Sequence, residues 1–258
     1  MNELLQVSVV EDDIDWQDPA SNRARYDSHF ERLKDTDLIV LPEMFSTGFY
    51  MQPWEKFETM EGETVLWMRD RANALNSAIT GSVVLKHGDK YLNRMLWVHP
   101  DGRITFYDKR HLFRYGNEHI HFDGGNERVI VELKGWRIAL FICYDLRFPV
   151  WSRNCDEYDL AIYVANWPDA RRFAWDSLLV ARAIENQCYV AASNRLGEDP
   201  NGNTFTGGSA LLDFKGGRMA EFDGRSGAVS ISMNLDQLFA FRESFPAHLD
   251  RDQFTLYT

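Results

Sequence analysis

Cysteine is scarce in this chain: Cys143, Cys155 and Cys188 are the only three in 258 residues, and none belongs to a C-x-x-C pair. A disulfide framework is excluded, and reduced thiols in a cytoplasmic setting are the expectation. Basic residues are outnumbered, 28 Lys and Arg against 39 Asp and Glu, for a net charge of −11. No Lys/Arg cluster interrupts that acidity, so nucleic acid and anionic membrane surfaces are not expected partners. Long apolar runs are missing as well: the longest, Ile138 to Tyr144, has seven residues, against about 20 needed to cross a bilayer. Met1-Asn2-Glu3-Leu4-Leu5 lacks the basic start of a leader peptide. With only 17 Gly and 8 Pro spread as turn markers, the chain is neither collagen-like nor of low complexity. G-x-G-x-x-G and P-loop patterns are absent. His119 and His121 find no third ligand at a usable spacing, so no metal site is expected. Glu11-Asp12-Asp13-Ile14-Asp15 lacks the Gly and terminal Glu of an EF-hand and reads as the cap of the first helix.

What is present is an ample core. Aromatic residues make up 14% of the chain, enough apolar surface to rule out disorder. Without repeats or linkers, residues 1–258 read as one domain. The first half alternates strand and helix. Leu4 to Val10 is a strand by its β-branched alternation, and Pro19 opens a helix through Tyr26, Phe30 and Leu33. Leu38 to Leu41 is an all-apolar strand buried on both faces, Thr64 to Ala78 a helix, and Ala78 to Leu85 a strand. Hairpins follow around His99-Pro100-Asp101-Gly102 and around Lys134-Gly135. A short helix over Phe148 to Asn154, a strand over Leu160 to Ala165, a helix over Phe173 to Asn186 and a strand over Tyr189 to Ser193 restore the alternation. Hairpin strands around Gly216-Gly217 and a strand over Ala228 to Met233 close the chain. The class is α/β with mixed sheets, either two packed face to face or one large one.

Four residues stand where chemistry is usually found. Cys143 ends an apolar strand and is followed by Tyr144-Asp145-Leu146-Arg147, which reads as a direct turn into a helix. A thiol there is exposed at a strand's carboxyl end, and the helix dipole favours its thiolate. Glu43, in Leu41-Pro42-Glu43-Met44, follows a buried strand among apolar neighbours, where desolvation suits a carboxylate to base catalysis near neutrality. Lys109, in Tyr107-Asp108-Lys109-Arg110-His111-Leu112-Phe113, can present an ammonium to a developing oxyanion. Glu118, nine residues on, can hold that ammonium charged and oriented. Taken singly, each also reads as an ordinary core thiol, loop acid or loop cation. Cys188 reads as core, and Cys155 has no base-like neighbour.

Together, Glu43, Lys109 and Cys143, with Leu-Pro-Glu-Met, Tyr-Asp-Lys-Arg-His-Leu-Phe and Ile-Cys-Tyr-Asp-Leu-Arg-Phe-Pro around them, resemble the Glu-Lys-Cys triad of the nitrilase superfamily of carbon–nitrogen hydrolases. Glu118 falls where that family's second glutamate lies, and Arg182-Ala183-Ile184-Glu185-Asn186-Gln187 matches a family helix. The resemblance covers residues ~4 to 233. It implies a four-layer α-β-β-α sandwich, a homodimer packed through the helices after Cys143 and Phe173, and hydrolysis without metal or organic cofactor. The Lys-Arg-His-Leu-Phe-Arg segment and Tyr163 to Pro168 look like the omega-amidases. Those enzymes cleave the terminal amide of short dicarboxylate monoamides (2-oxoglutaramate, 2-oxosuccinamate, succinamate) through a cysteine thioester. The expected roles are Cys143 as nucleophile, Glu43 as base, and Lys109 with the Tyr144 backbone N–H as oxyanion donors. In a protein this acidic the substrate's distal carboxylate needs a local cation. Arg171 and Arg172 are the candidates, with Arg114 and Arg147 as alternatives. A nitrilase, an N-carbamoyl amine hydrolase, an aliphatic amidase and a non-catalytic binding or thiol-sensing protein are the competing readings.

Overall fold

The computed structural model describes residues 4–33 and 35–256. Met1-Asn2-Glu3, part of the stretch read for a leader, fall outside the described residues. The first strands are β1 (Leu4–Glu11), β2 (Leu38–Val40), β3 (Ala78–His87), β4 (Lys90–Val98) and β5 (Ile104–Asp108). Next come β6 (Ile130–Leu133), β7 (Trp136–Ile142), β8 (Leu160–Val164) and β9 (Tyr189–Ser193). A small hairpin of β10 (Leu196–Glu198) and β11 (Thr204–Thr206) precedes β12 (Ala210–Leu212) and β13 (Gly227–Asn234). These strands form two large sheets, ordered β13-β1-β2-β3-β4-β5 and β12-β9-β8-β7-β6, so the two-sheet alternative is the one realised. Each sheet is built alike: three parallel strands, β1-β2-β3 or β7-β8-β9, extended by antiparallel neighbours.

The period-2 pattern of strand side chains decides the layers. Leu5, Val7 and Val9 of β1, Leu38 and Val40 of β2 and Trp97 of β4 share one core with the second sheet. Val10, Ile39, Ile79 and Leu96, on the opposite face, pack under Tyr26 and Phe30 of α1 (Pro19–Phe30) and Met68 and Ala72 of α2 (Glu63–Leu75). Ile39 between Leu38 and Val40 explains why β2 is apolar at every position: it is covered on both sides. After the short helices α3 (Glu118–His121) and α4 (Pro149–Ser152), α5 (Arg172–Asn186) lays Trp175, Leu179 and Ala183 on the second sheet's outer side, and Leu238 of α6 (Leu235–Ser244) joins that core. The result is the four-layer α-β-β-α sandwich.

Several boundaries differ from the sequence reading. The first helix ends at Phe30 rather than reaching Leu33, because the Arg32 and Leu33 N–H groups bond only three residues back, to His29 and Phe30. Asn76, left-handed at φ 50°, stops α2 short of Ala78. The hairpin of β3 and β4 runs two residues beyond Leu85, to the His87–Lys90 pair. The acidic run Glu11 to Asp15 does not cap α1. Asp18 does, accepting the Ser21 N–H at 3.0 Å, while Asp12 pairs with His29 and Asp13 with Arg195. The expected helix over Phe148 to Asn154 is the four-residue α4, preceded by a separate 3-10 turn over Cys143–Arg147.

Phe141 of β7 stacks on Tyr163 of β8 with ring centroids 5.0 Å apart, and edge contacts from Tyr107 and Tyr158 complete its burial. Phe141→Ala leaves a cavity that this rigid aromatic cluster cannot close. Denaturant unfolding of the variant is expected to show a loss of about 3–5 kcal/mol.

Candidate active site

The carboxyl ends of β2, β5, β7 and β8 meet where the two sheets face each other. Past β2, the Leu41 N–H still bonds the Thr80 carbonyl at 2.8 Å, and Pro42, with no N–H to give, only accepts, from the Ser82 N–H at 3.3 Å. The chain turns at Met44 (φ 42°), whose N–H is held by Ser82 Oγ at 2.8 Å, and Glu43 is carried inward. Past β5, Lys109 extends the pairing by one residue, its N–H bonding the Asn93 carbonyl at 3.0 Å. Its own carbonyl accepts the Gly125 N–H at 2.9 Å. A Cβ on Gly125 would stand 2.3 Å from the Asp108 carbonyl oxygen, so only glycine lets this strand and loop approach.

Lys109 is fully buried between two fully buried carboxylates. Its Nζ lies 2.7 Å from Glu43 Oε1 and 2.9 and 3.1 Å from the two oxygens of Glu118. Asn93 Nδ2 donates to Glu43 Oε1 at 2.8 Å and to Glu118 Oε1 at 3.1 Å. The Phe113 N–H bonds Glu118 Oε2, and the Asn166 N–H bonds Glu43 Oε2 at 2.8 Å. Asn166 Nδ2 also donates to the Glu43 carbonyl. Burial works against the Lys109 charge, but Glu118 and then Glu43 outweigh it and hold the ammonium above its ordinary range. Glu118 is pushed up by burial and by the Glu43 charge, against the pull of Lys109.

Cys143 opens the 3-10 turn in a left-handed conformation (φ 44°) that a residue with a Cβ rarely adopts, and 8% of its surface is exposed. Asp145 fixes this elbow. Its Oδ2 accepts the Ile142 N–H at 3.0 Å and the Tyr107 hydroxyl at 2.7 Å, and its Oδ1 accepts the His111 N–H at 3.0 Å. Glu43 stands near enough to the thiol for its charge to act on it. Burial, then the Glu43 charge, push the thiol well above its ordinary range, with Lys109 opposing them. The expectation that a dipole favours the thiolate is corrected in direction: a five-residue 3-10 turn has little dipole, and burial and the Glu43 charge favour the thiol.

Cys143 and Tyr144 form the floor of a cavity of about 530 Å³, while Glu43, Lys109 and Glu118 lie behind it. Trp16, Phe49, Tyr50 and Phe205 give it apolar walls. Of the arginines read as carboxylate ligands, Arg171 lines this cavity and Arg172 does not. Arg172 Nε turns to Asp176, one helical turn on, at 3.1 Å. The alternative Arg147 also lines it, and Arg114 is exposed outside it. The Arg171 guanidinium lies 5.2 Å from the Phe113 ring centre and that of Arg147 4.9 Å from Trp167. Among the described residues neither makes an ion pair.

The residues the sequence reading passed over are Asn93, Asn166 and Asp145. An asparagine between Leu92 and the Met95-Leu96-Trp97 run of β4, beside Arg94, is the signal for Asn93, because a buried amide needs a reason to be there. Asp145 stood within a quoted motif without a task.

Residues 7–239 match the family model for carbon–nitrogen hydrolases. The chain is 47% identical to the omega-amidase YafV of Yersinia enterocolitica, covering 98% of both chains. It is 33% identical to the 2-oxoglutaramate amidase of Bacillus subtilis, over 95% of this chain and 96% of that one. The crystal structure of XC1258 from Xanthomonas campestris, a CN-hydrolase superfamily protein with an arsenic adduct in its active site, superposes with a TM-score of 0.96. Its identity is 46%, and the match covers 98% of this chain and 99% of that one.

Two tests follow from the geometry. Because the Glu43 charge raises the thiol pKa, Glu43→Gln should move the Cys143 titration to lower pH, read by thiolate absorbance; wild type should show no thiolate near neutrality. Asp145→Ala takes the shared acceptor from the Ile142 and His111 N–H groups, the Tyr107 hydroxyl and the His111 ring, and the unfolding free energy should drop by about 3–5 kcal/mol.

Proposed function

The chain belongs to the carbon–nitrogen hydrolase family, and from that premise we propose that it is an omega-amidase. It hydrolyses the terminal amide of short dicarboxylate monoamides, such as 2-oxoglutaramate, 2-oxosuccinamate and succinamate, to the dicarboxylate and ammonia. The observation that carries this reading is one cavity whose floor is a thiol backed by a charged Lys–Glu pair and whose wall holds unpaired guanidiniums. The first feature suits amide hydrolysis in general. The second suits an amide that ends in a carboxylate, in a protein whose overall field repels anions.

A resting thiol dictates how the reaction starts. Glu43 takes the Cys143 proton as the sulfur attacks the amide carbon, so charge never accumulates on an isolated thiolate. The carbonyl electrons move to oxygen. Lys109 and the Tyr144 backbone N–H receive that oxyanion, each donor contributing on the order of 3 kcal/mol. Lys109 stays an ammonium throughout, so its role is electrostatic and the proton traffic belongs to Glu43. Protonated Glu43 returns its proton to the nitrogen, the C–N bond breaks, and ammonia leaves a thioester on Cys143. Glu43 then deprotonates a water that attacks the thioester carbon. The second tetrahedral intermediate collapses to the carboxylic product, and the sulfur is expelled and reprotonated. Glu118 keeps Lys109 charged and aimed. The arsenic adduct in the active site of the Xanthomonas relative accords with a thiophilic site of this kind.

In this reading the molecule is a cytoplasmic homodimer. Val150 of α4 and Phe173 and Ile184 of α5 are apolar and exposed on the helices that would pair. The three free cysteines suit a reducing compartment.

Ammonia release from succinamate and 2-oxoglutaramate is expected for wild type and lost in Cys143→Ala; a variant that keeps turnover removes the reading. Arg171→Ala should raise KM for these acid-bearing amides about 10-fold or more while leaving an uncharged amide such as butyramide within about threefold. Equal effects on both substrates would place the carboxylate elsewhere.

A further inference from the structure

The ammonium of Lys109 carries three N–H groups, and three carboxylate oxygens lie within hydrogen-bond distance: Glu43 Oε1 and both oxygens of Glu118. To donate to anything in the cavity, Lys109 must release one of them. A buried carboxylate oxygen left without its donor is costly. Asn93 Nδ2 has two N–H groups, and it directs them to Glu43 Oε1 and Glu118 Oε1, two of the oxygens that Lys109 serves. Both partners are pure acceptors, so the amide can face only one way. Its Oδ1 has no partner, so these two donations are all that the side chain supplies there.

We propose that Asn93 is a positioning residue that holds Glu43 and Glu118 with one neutral donor each, so that Lys109 can turn an N–H toward the oxyanion without stranding either carboxylate. This rests on the amidase reading for its reaction but not for its geometry. Glu43 is faced by Lys109 from the end of β5, Glu118 from α3, Cys143 from the elbow after β7, and the amides Asn93 and Asn166. Among these, Asn93 is the neutral donor that touches both carboxylates. Removing it favours the protonated form of the pair, since hydrogen bonds to a carboxylate favour its charged form.

The experiment compares wild type with Asn93→Ala and with Asn93→Leu, which is close in shape, stays neutral and loses the amide donors. Two pH profiles are recorded: kcat and KM for succinamate, and the rate of Cys143 alkylation by iodoacetamide, followed by peptide mass spectrometry. In both variants kcat should fall roughly 10–100-fold with KM within about threefold; the acid limb of the kcat profile should move up by about one pH unit, and the alkylation limb, set by the thiol, should move down as the neighbouring carboxylates take up protons more readily. A fall in kcat with unmoved limbs makes Asn93 a packing residue and overturns the proposal. So does an Asn93→Leu protein with the wild-type rate. Should Asn93→Ala not fold, the isosteric variant decides alone. A wild type inert to succinamate whose alkylation limb still shifts on substitution overturns the amidase reading and upholds the role of Asn93.

Discussion

The site depends on one buried ammonium. Lys109 sits without solvent between two carboxylates, and each charge is tolerable only because the others are there. A lone buried Glu would take up a proton, and a lone buried Lys would lose one. Together they form one hydrogen-bonded cluster whose distances are set by the sheet ends that carry them. The proposed chemistry uses that arrangement: Glu43 as base, Lys109 as a cation held above its ordinary range, and Cys143 as a thiol that burial and then the Glu43 charge push toward its protonated form. In so coupled a group, ionisation belongs to the cluster rather than to single residues.

The second constraint is the left-handed turn at Cys143. The apolar strand β7 would otherwise bury its last residue in the inter-sheet core. The inversion there, held by the Asp145 contacts to Ile142, Tyr107 and His111, turns the sulfur out to the cavity floor. Asp145 thus ties the nucleophile's elbow to the strand and loop that deliver Lys109, so the two halves of the machinery are braced against each other.

Much of this was legible in the sequence. Glu43, Lys109 and Cys143 each follow an apolar strand within a short run of distinctive neighbours, and residues at strand ends are where local pattern and chemistry coincide. Asn93 and Asn166 escaped because a single amide near a strand carries no periodic signal, and its meaning lies in carboxylates delivered by distant segments. Choosing between Arg171 and Arg172 demanded a boundary that periodicity does not resolve. The 3-10 turn ends at Arg171, α5 begins at Arg172, and consecutive helical side chains point about 100° apart. The thiolate expectation failed for a related reason: a dipole needs a run of aligned peptides, and the length of the following helix was overestimated.

The construction from two sheets also bears on how the reactive sulfur is kept in check during biosynthesis. The first sheet brings Glu43, Asn93 and Lys109, the second Cys143 and Asn166, and no contiguous segment holds a working set. A nascent or partly unfolded chain therefore displays a cysteine of ordinary acidity with neither the base nor the cation beside it. On the proposed roles, turnover requires docked sheets and so reports correct assembly.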